Sequence, residues 1–183
     1  DNCNDWLTVN ILKRWKLTEF NSIGLVMSFD LVSLIVKTCT ELTSIKLECN
    51  TVDDVVVIVI AQHCPKLETL LLWSRNITWT SLLALSERGL PLKELDIPYV
   101  PNIPTANIAR RCSHALSCIR NLTTNILHQN GQDATILLPY MTGLTSVYLK
   151  YNCHSYIPLL TQYCRKIQVI EVDTVRLPVL DIL

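Results

Sequence analysis

The sequence predicts an α/β fold: a solenoid with a parallel sheet on its concave side and helices on its convex side. Three observations carry that expectation. First, residues 64–85, CPKLETLLLWSRNITWTSLLAL, place Leu67, Leu70 and Leu72 at the spacing L-x-x-L-x-L, which buries one side of a short strand. Second, Ile77, Leu82 and Leu85 continue the apolar series at helical intervals, so strand and helix form one unit. Third, the pattern returns along the chain, as it must, because the apolar flanks of such a unit need similar neighbours to cover them.

Residues 1–11, with Trp6 and Leu7, read as an N-terminal cap, and residues 12–183 as about six to seven repeats of a single domain. The first unit takes Leu12, Trp15 and Leu17 as its strand, then Phe20 and Ile23, with Leu31, Leu34 and Ile35 in a helix ending near Cys39. In the second, Leu42, Ile45 and Leu47 form the strand, Asn50 lies in the turn, and Asp53 and Asp54 follow Val52 at a helix start. Carboxylates there accept bonds from unpaired amides and suit the positive helix end. The third unit is residues 64–85. The fourth uses Leu92, Leu95, Ile97 and Ile103, with a short helix around 106–111. Pro98, Pro101 and Pro104 keep its loop from becoming helical sooner. The fifth takes Leu116, Ile119 and Asn121, then Ile126. The sixth takes Leu144, Val147 and Leu149, backed by Ile157 and Leu160, and Ile167, Ile170 and Val172 open the last unit.

The leading apolar residues stand at 12, 42, 67, 92, 116, 144 and 167, at intervals of 30, 25, 25, 24, 28 and 23. Periods of roughly 20–29 residues with this strand pattern are the signature of leucine-rich repeats.

Composition agrees with a folded chain and narrows its partners. Of 183 residues 49% are hydrophobic, with a mean hydropathy of +0.28, which argues against disorder. Sixteen basic residues balance sixteen acidic ones, so nothing in the total points to nucleic acid or an anionic membrane. No apolar run reaches the roughly 18 residues of a membrane span, and residues 1–10 lack the features of a signal peptide. The expectation is a soluble protein of the cytoplasm or nucleus, with an organelle as the alternative.

Eight cysteines, Cys3, Cys39, Cys49, Cys64, Cys112, Cys118, Cys153 and Cys164, are spread too widely for the disulfide framework of a small secreted domain. They read as buried free thiols. The neighbours His63-Cys64, Cys112-x-His114 and Cys153-His154 lack the paired spacing of a structural zinc site, so no metal is expected. Catalysis is not expected either. The chain has no glycine-rich phosphate loop, no G-x-S-x-G and no H-E-x-x-H, and no cofactor motif. Asp53 and Asp54 are consecutive, point in different directions on a helix, and read as caps rather than paired carboxylates.

Four cysteines stand just before a unit, in CTELTSIKL, CPKLETLLL, CSHALSCI and CRKIQVIEV. With the leucine pattern, these segments resemble the cysteine-containing repeats of F-box/leucine-rich-repeat proteins, C-x-x-L-x-x-L-x-L, over most of the chain from about residue 12. The resemblance implies the leucine-rich-repeat solenoid and, for a longer parent protein bearing an F-box, substrate recognition in a ubiquitin ligase. No F-box is recognisable in this chain. The turn position that is often cysteine or asparagine in the family is Asn50 in the second unit and Ser74 in the third.

Side chains alternate along a strand, so residues between the buried leucines point outward. The concave face would carry Arg14 and Lys16; Ser44, Lys46 and Glu48; Thr69, Leu71 and Trp73; Glu94 and Asp96; Ser146, Tyr148 and Lys150; and Val169, Glu171 and Asp173. The candidate partner-binding residues are Leu71, Trp73, Lys46, Glu48, Arg14, Lys16, Glu94, Asp96, Tyr148 and Lys150. Leu71 and Trp73 stand out, because an uncovered apolar pair costs solubility and tryptophan is enriched among interface hot spots. The alternative is that Trp73 packs on a neighbouring strand's side chain. Two glycosylation sequons, at Asn76 and Asn121, are the number that chance gives for 12 asparagines and 28 Ser/Thr residues. Asn121 is placed inward, where a glycan would not fit.

The function expected is protein–protein recognition, as the repeat region of an F-box-type adaptor binding a protein on the concave face. A structural subunit of a large, organellar or other, complex is the first alternative. A secreted glycosylated receptor ectodomain is the second.

Overall fold

A computed structural model of the chain describes residues 14–23, 27–48, 52–97, 100, 104–123, 132–149 and 157–172. Within them strands and helices alternate. The order is β1 (Glu19–Ser22), α1 (Phe29–Thr38), β2 (Ser44–Glu48), α2 (Asp54–His63), β3 (Thr69–Trp73), α3 (Trp79–Arg88) and β4 (Glu94–Asp96). There follow α4 (Ala106–Arg111), α5 (Ser113–Cys118), β5 (Asn121–Thr123), α6 (Gln132–Leu137) with a 3-10 turn (Leu138–Tyr140), β6 (Ser146–Leu149), α7 (Ile157–Tyr163) and β7 (Val169–Val172). The protein is α/β, with two open parallel sheets ordered β1-β2-β3-β4 and β5-β6-β7.

β2, β3, β4 and β6 bury alternate residues, and the core is continuous between strands and helices. Ile45 and Leu47, Leu70 and Leu72, and Leu95 lie in register across the first sheet with Val36, Val57, Ile60, Leu82 and Leu85 of the helices in the same apolar cluster. Backbone bonds relay the strand entries. The carbonyl of Thr43 accepts from the amides of Glu68 (2.8 Å) and Thr69 (3.0 Å), and Thr18, Glu68, Arg120 and Thr145 do the same for the next strand along. Exposed ion pairs, Lys66–Glu41 at 2.5 Å and Lys93–Glu68 at 2.7 Å, join the same neighbours at their edges and add little in water.

The first unit differs from the expectation. Its strand is not the Leu12, Trp15, Leu17 series; Phe20 pairs with Ile45 and Ser22 with Leu47, which puts Leu17 in the leading position. The steps from Leu17 to Leu42, Leu67 and Leu92 are then 25 residues each. Ser22 occupies an inward slot that β2, β3 and β6 fill with leucine, so a search for apolar triplets passes over it. Its hydroxyl is buried without a hydrogen-bond partner.

The fifth unit is shifted as well. Leu116 lies in α5, not in a strand, because Ala109, Cys112, Ala115, Leu116 and Ile119 follow the i, i+3, i+4, i+7 spacing of a helix face and are buried together. The strand instead buries Leu122, paired with Val147, and turns Asn121 outward beside Ser146. Asn121 is exposed, so the steric objection to a glycan there is overturned. Ile119 becomes the leading residue, 27 after Leu92 and 25 before Leu144. Between β4 and β5 a bridge joins Leu95 to Ile119, and the continuous ladder breaks there.

Several helix starts are capped by side chains. Ser28 accepts from the Leu31 amide, Asp53 from Val55 (3.0 Å) and Val56 (3.1 Å), and Thr78 from Thr80. Residues 55–60 of α2, VVVIVI, are all β-branched and cost helix propensity of some tenths of a kcal/mol each. Burial of Val56, Val57 and Ile60 outweighs that preference. Gly89 ends α3 at φ 58°, a left-handed conformation that glycine adopts without strain.

Cys39, Cys64, Cys112, Cys118 and Cys164 are buried free thiols. Several meet a carbonyl of the preceding unit: Cys64 Sγ donates to Val36 (3.9 Å), Cys118 to Leu92 (3.0 Å) and Cys164 to Leu138 (3.9 Å). Burial pushes the Cys64 thiol up to about 12, with a small contribution from Cys39, and lifts Cys112 and Cys164 to about 11. These are packing groups between units and poor nucleophiles. Cys3, Cys49 and Cys153 lie outside the described residues.

Candidate functional site: the outward face of the first sheet

The register builds the face row by row. One row runs Glu19, Ser44, Thr69, Glu94; the next runs Asn21, Lys46, Leu71, Asp96; and Glu48 sits beside Trp73 in a third. Lys46, Glu48, Leu71, Trp73, Glu94 and Asp96 therefore come together, as their alternation in sequence predicts. Arg14 and Lys16 do not join them. Both precede β1, whose outward residues are Glu19 and Asn21, so the face does not begin basic. Stepping back 25 residues from Ser44 and Lys46 would have found those two. Tyr148 lies outward on the second sheet, between Thr123 and Glu171. Lys150 and Asp173 are outside the described residues.

Trp73 closes β3 and is 41% exposed, whereas Leu71 is half-buried. The strand end is fixed from below. Ser74, the next residue, is buried; its hydroxyl donates to the Val52 carbonyl at 2.5 Å and accepts from the Asn76 amide at 3.1 Å. A turn tied into the core on one side leaves the preceding side chain on the other. The neighbouring Asp54 extends the tie. Its carboxylate accepts from the Thr78 amide (2.8 Å), the Thr78 hydroxyl (2.5 Å) and the Ser81 hydroxyl (2.5 Å), at the start of the following helix. Asp53 thus caps its own helix and Asp54 the next one, which sharpens the capping role expected from sequence.

Asp96, on the adjacent strand, is the diagonal neighbour of Trp73 and is half-buried. Burial raises the Asp96 carboxyl above its usual range; the nearby Trp73 indole works the other way, and the charge of Glu94 adds to the rise. Alternation in the sequence places both residues on the face but does not show that they are neighbours, because they stand 23 positions apart.

Elsewhere the chemistry is sparse. An open groove of about 440 Å³ lies between α2 and α3, lined by Ile58, Ala61, Leu83 and Ala84 with Glu87 and Arg88, and holds none of the candidate residues. Among the described residues no group of three or more His, Cys, Asp or Glu side chains could hold a metal ion. His114 is engaged through Nε2 with the Leu90 carbonyl at 2.7 Å. No described helix is long and apolar enough to cross a membrane. No protein-family model matches the chain, and no curated protein matches it.

Proposed function

We propose that the chain is a leucine-rich-repeat solenoid whose outward sheet face recognises a protein, as the substrate-binding repeat region of an F-box-type ubiquitin-ligase adaptor. The observation that carries the recognition reading is Trp73, exposed at the end of the interior strand β3 of a parallel sheet, on the same face as Leu71. A large aromatic surface held on regular strands loses little freedom on binding and releases water from apolar area. The regular 25-residue step of the first four units supports the repeat assignment, and the cysteine-led motif supports the kinship with F-box adaptors. Affinity purification of the full-length protein, wild type against Trp73→Ala, tests it. The reading expects a substrate that is lost with the substitution and a ligase adaptor that is retained, with unchanged circular dichroism. Equal recovery of every partner by the two forms would refute it.

A structural-subunit reading is favoured by a different observation. Trp15, Ile23, Phe29 and Leu31 are exposed around the first described strand and helix, and Val169 and Ile170 are exposed on the last described strand. Apolar residues at both ends suit a spacer gripped at its edges. Co-purification in a stable assembly without a ligase adaptor, insensitive to Trp73→Ala, would favour it.

A further inference from the structure

The chain as a whole is neutral, yet the outward face of the first sheet is not. Its strand residues hold Glu19, Glu48, Glu94 and Asp96 against Lys46, a net −3. Among the described outward strand residues of the second sheet, Asn121, Ser146, Tyr148, Val169 and Glu171 hold one charge. The negative charge gathers where the apolar surface is. Glu94 and Asp96 are outward neighbours on β4, and no cation among the described residues forms an ion pair with either. Lys93 is engaged by Glu68 at 2.7 Å. Lys46 shares a row with Asp96 but lies two strands away, roughly 9–10 Å at the spacing of a sheet.

Trp73 is diagonal to Asp96 across β3 and β4 and is 41% exposed. An exposed tryptophan ring beside two carboxylates that form no ion pair among the described residues is complementary to a guanidinium, which stacks on an aromatic face and forks onto a carboxylate. Lysine matches the charge without the planar fork.

We propose that the partner of this face presents an arginine that lies against the Trp73 ring and pairs with Asp96 and Glu94, from an otherwise apolar segment covering Leu71. This rests on the reading of the face as a protein-binding surface and specifies its partner. The raised carboxyl of Asp96 is consistent with a site that gains from an incoming cation.

Selection of a displayed random-peptide library on the immobilised chain tests the idea. Enriched peptides are expected to carry arginine beside leucine or similar residues. Exchange of that arginine for citrulline, which keeps shape but not charge, should weaken binding about tenfold. The double substitution Asp96→Asn with Glu94→Gln should do the same to the arginine peptide and leave the citrulline peptide unchanged. Both substitutions keep the shape of the side chain and remove its charge. Enrichment without basic residues, no enrichment at all, or equal binding of arginine and citrulline forms overturns the proposal. If the selected peptides lack arginine but still depend on Trp73, the arginine pocket fails and the protein-binding face stands. Indifference to Trp73→Ala removes both.

Discussion

The two sheets of the molecule are built on the same plan and differ in regularity. From Leu17 to Leu92 every step is 25 residues and four strands share one ladder; from Leu92 to Ile167 the steps are 27, 25 and 23, and the ladder starts afresh at β5. A constant step lets each strand pair without a bulge and each helix fall on the one before it. Three prolines and a helix split at Cys112 use up the longer step, and three-residue strands on either side of the break are what remains. The regular half is also the one that carries Trp73, Asp96 and the tied turn at Ser74. Regularity supplies the rigid frame on which individual side chains can be displayed.

The comparison can be broken most directly at one strand slot. Leu70 and Ile170 occupy equivalent inward positions, but Leu70 is fully buried and Ile170 is 42% exposed. Leu70→Ala should cost about 4 kcal/mol and Ile170→Ala about 1 kcal/mol, measured by urea denaturation. Similar costs would mean that the last strand is as well covered as the third.

Next in size is Gly143, before β6. A Cβ there would collide with Arg120 Nη1 and with the Ser117 carbonyl oxygen, and Arg120 Nη1 bonds both the Ser117 and Gly143 carbonyls at 3.0 Å. Arg120 could swing away, but the backbone oxygen could not. Gly143→Ala should therefore destabilise by about 3 kcal/mol, whereas Gly89→Ala, with open space around it and only its positive φ to satisfy, should cost about 1 kcal/mol. Equal thermal shifts for the two variants would contradict this.

Asp54→Ala removes the acceptor of three bonds that join α2 to the start of α3, with an expected loss of about 2 kcal/mol. The Asp53→Ala loss should be nearer 1 kcal/mol, since that residue caps its own helix alone. Calorimetry on both variants orders them.

Much of this fold has local causes and is legible in the sequence for that reason. The strand–helix alternation, the strands β2, β3, β4, β6 and β7, the α1 end near Cys39, the Asp53 cap and the helix at 106–111 can all be read there, because buried leucines and caps leave local signals. Two strands are misplaced by such a reading, for a shared reason. At Ser22 a polar residue fills an apolar slot, and at Leu116 a helix face imitates a strand triplet, so a pattern of apolar letters slides by one motif. The face is legible by alternation wherever the strand is placed well, at Lys46, Leu71, Trp73 and Asp96, and fails at Arg14 and Lys16 where it is not. Bonds between units, such as that from the Thr78 amide to Asp54, leave no local trace.

The last two effects are smaller. Ser22→Ala removes a buried hydroxyl with no partner and should stabilise by about 1 kcal/mol; a loss of stability would show that the hydroxyl is bonded. Asp96 gives a pH signature. A carboxyl raised by folding takes up protons more readily in the native state, so native stability falls as pH rises from the ordinary value of 3.8 through the raised one. Asp96→Asn should match wild type in acid and exceed it slightly at neutral pH. A difference that shrinks as pH rises would reverse the sign.

The buried thiols allow the joints between units to be timed separately. Cys64 stands against Val36, Cys118 against Leu92 and Cys164 against Leu138, each at a different joint. Native thiols buried this deeply react only when their joint opens, so the labelling rate at each cysteine, resolved by peptide mass, is a clock for one opening event. Slow labelling at Cys64 with faster labelling at Cys118 would place the first breathing motion of the fold at the break between its two sheets.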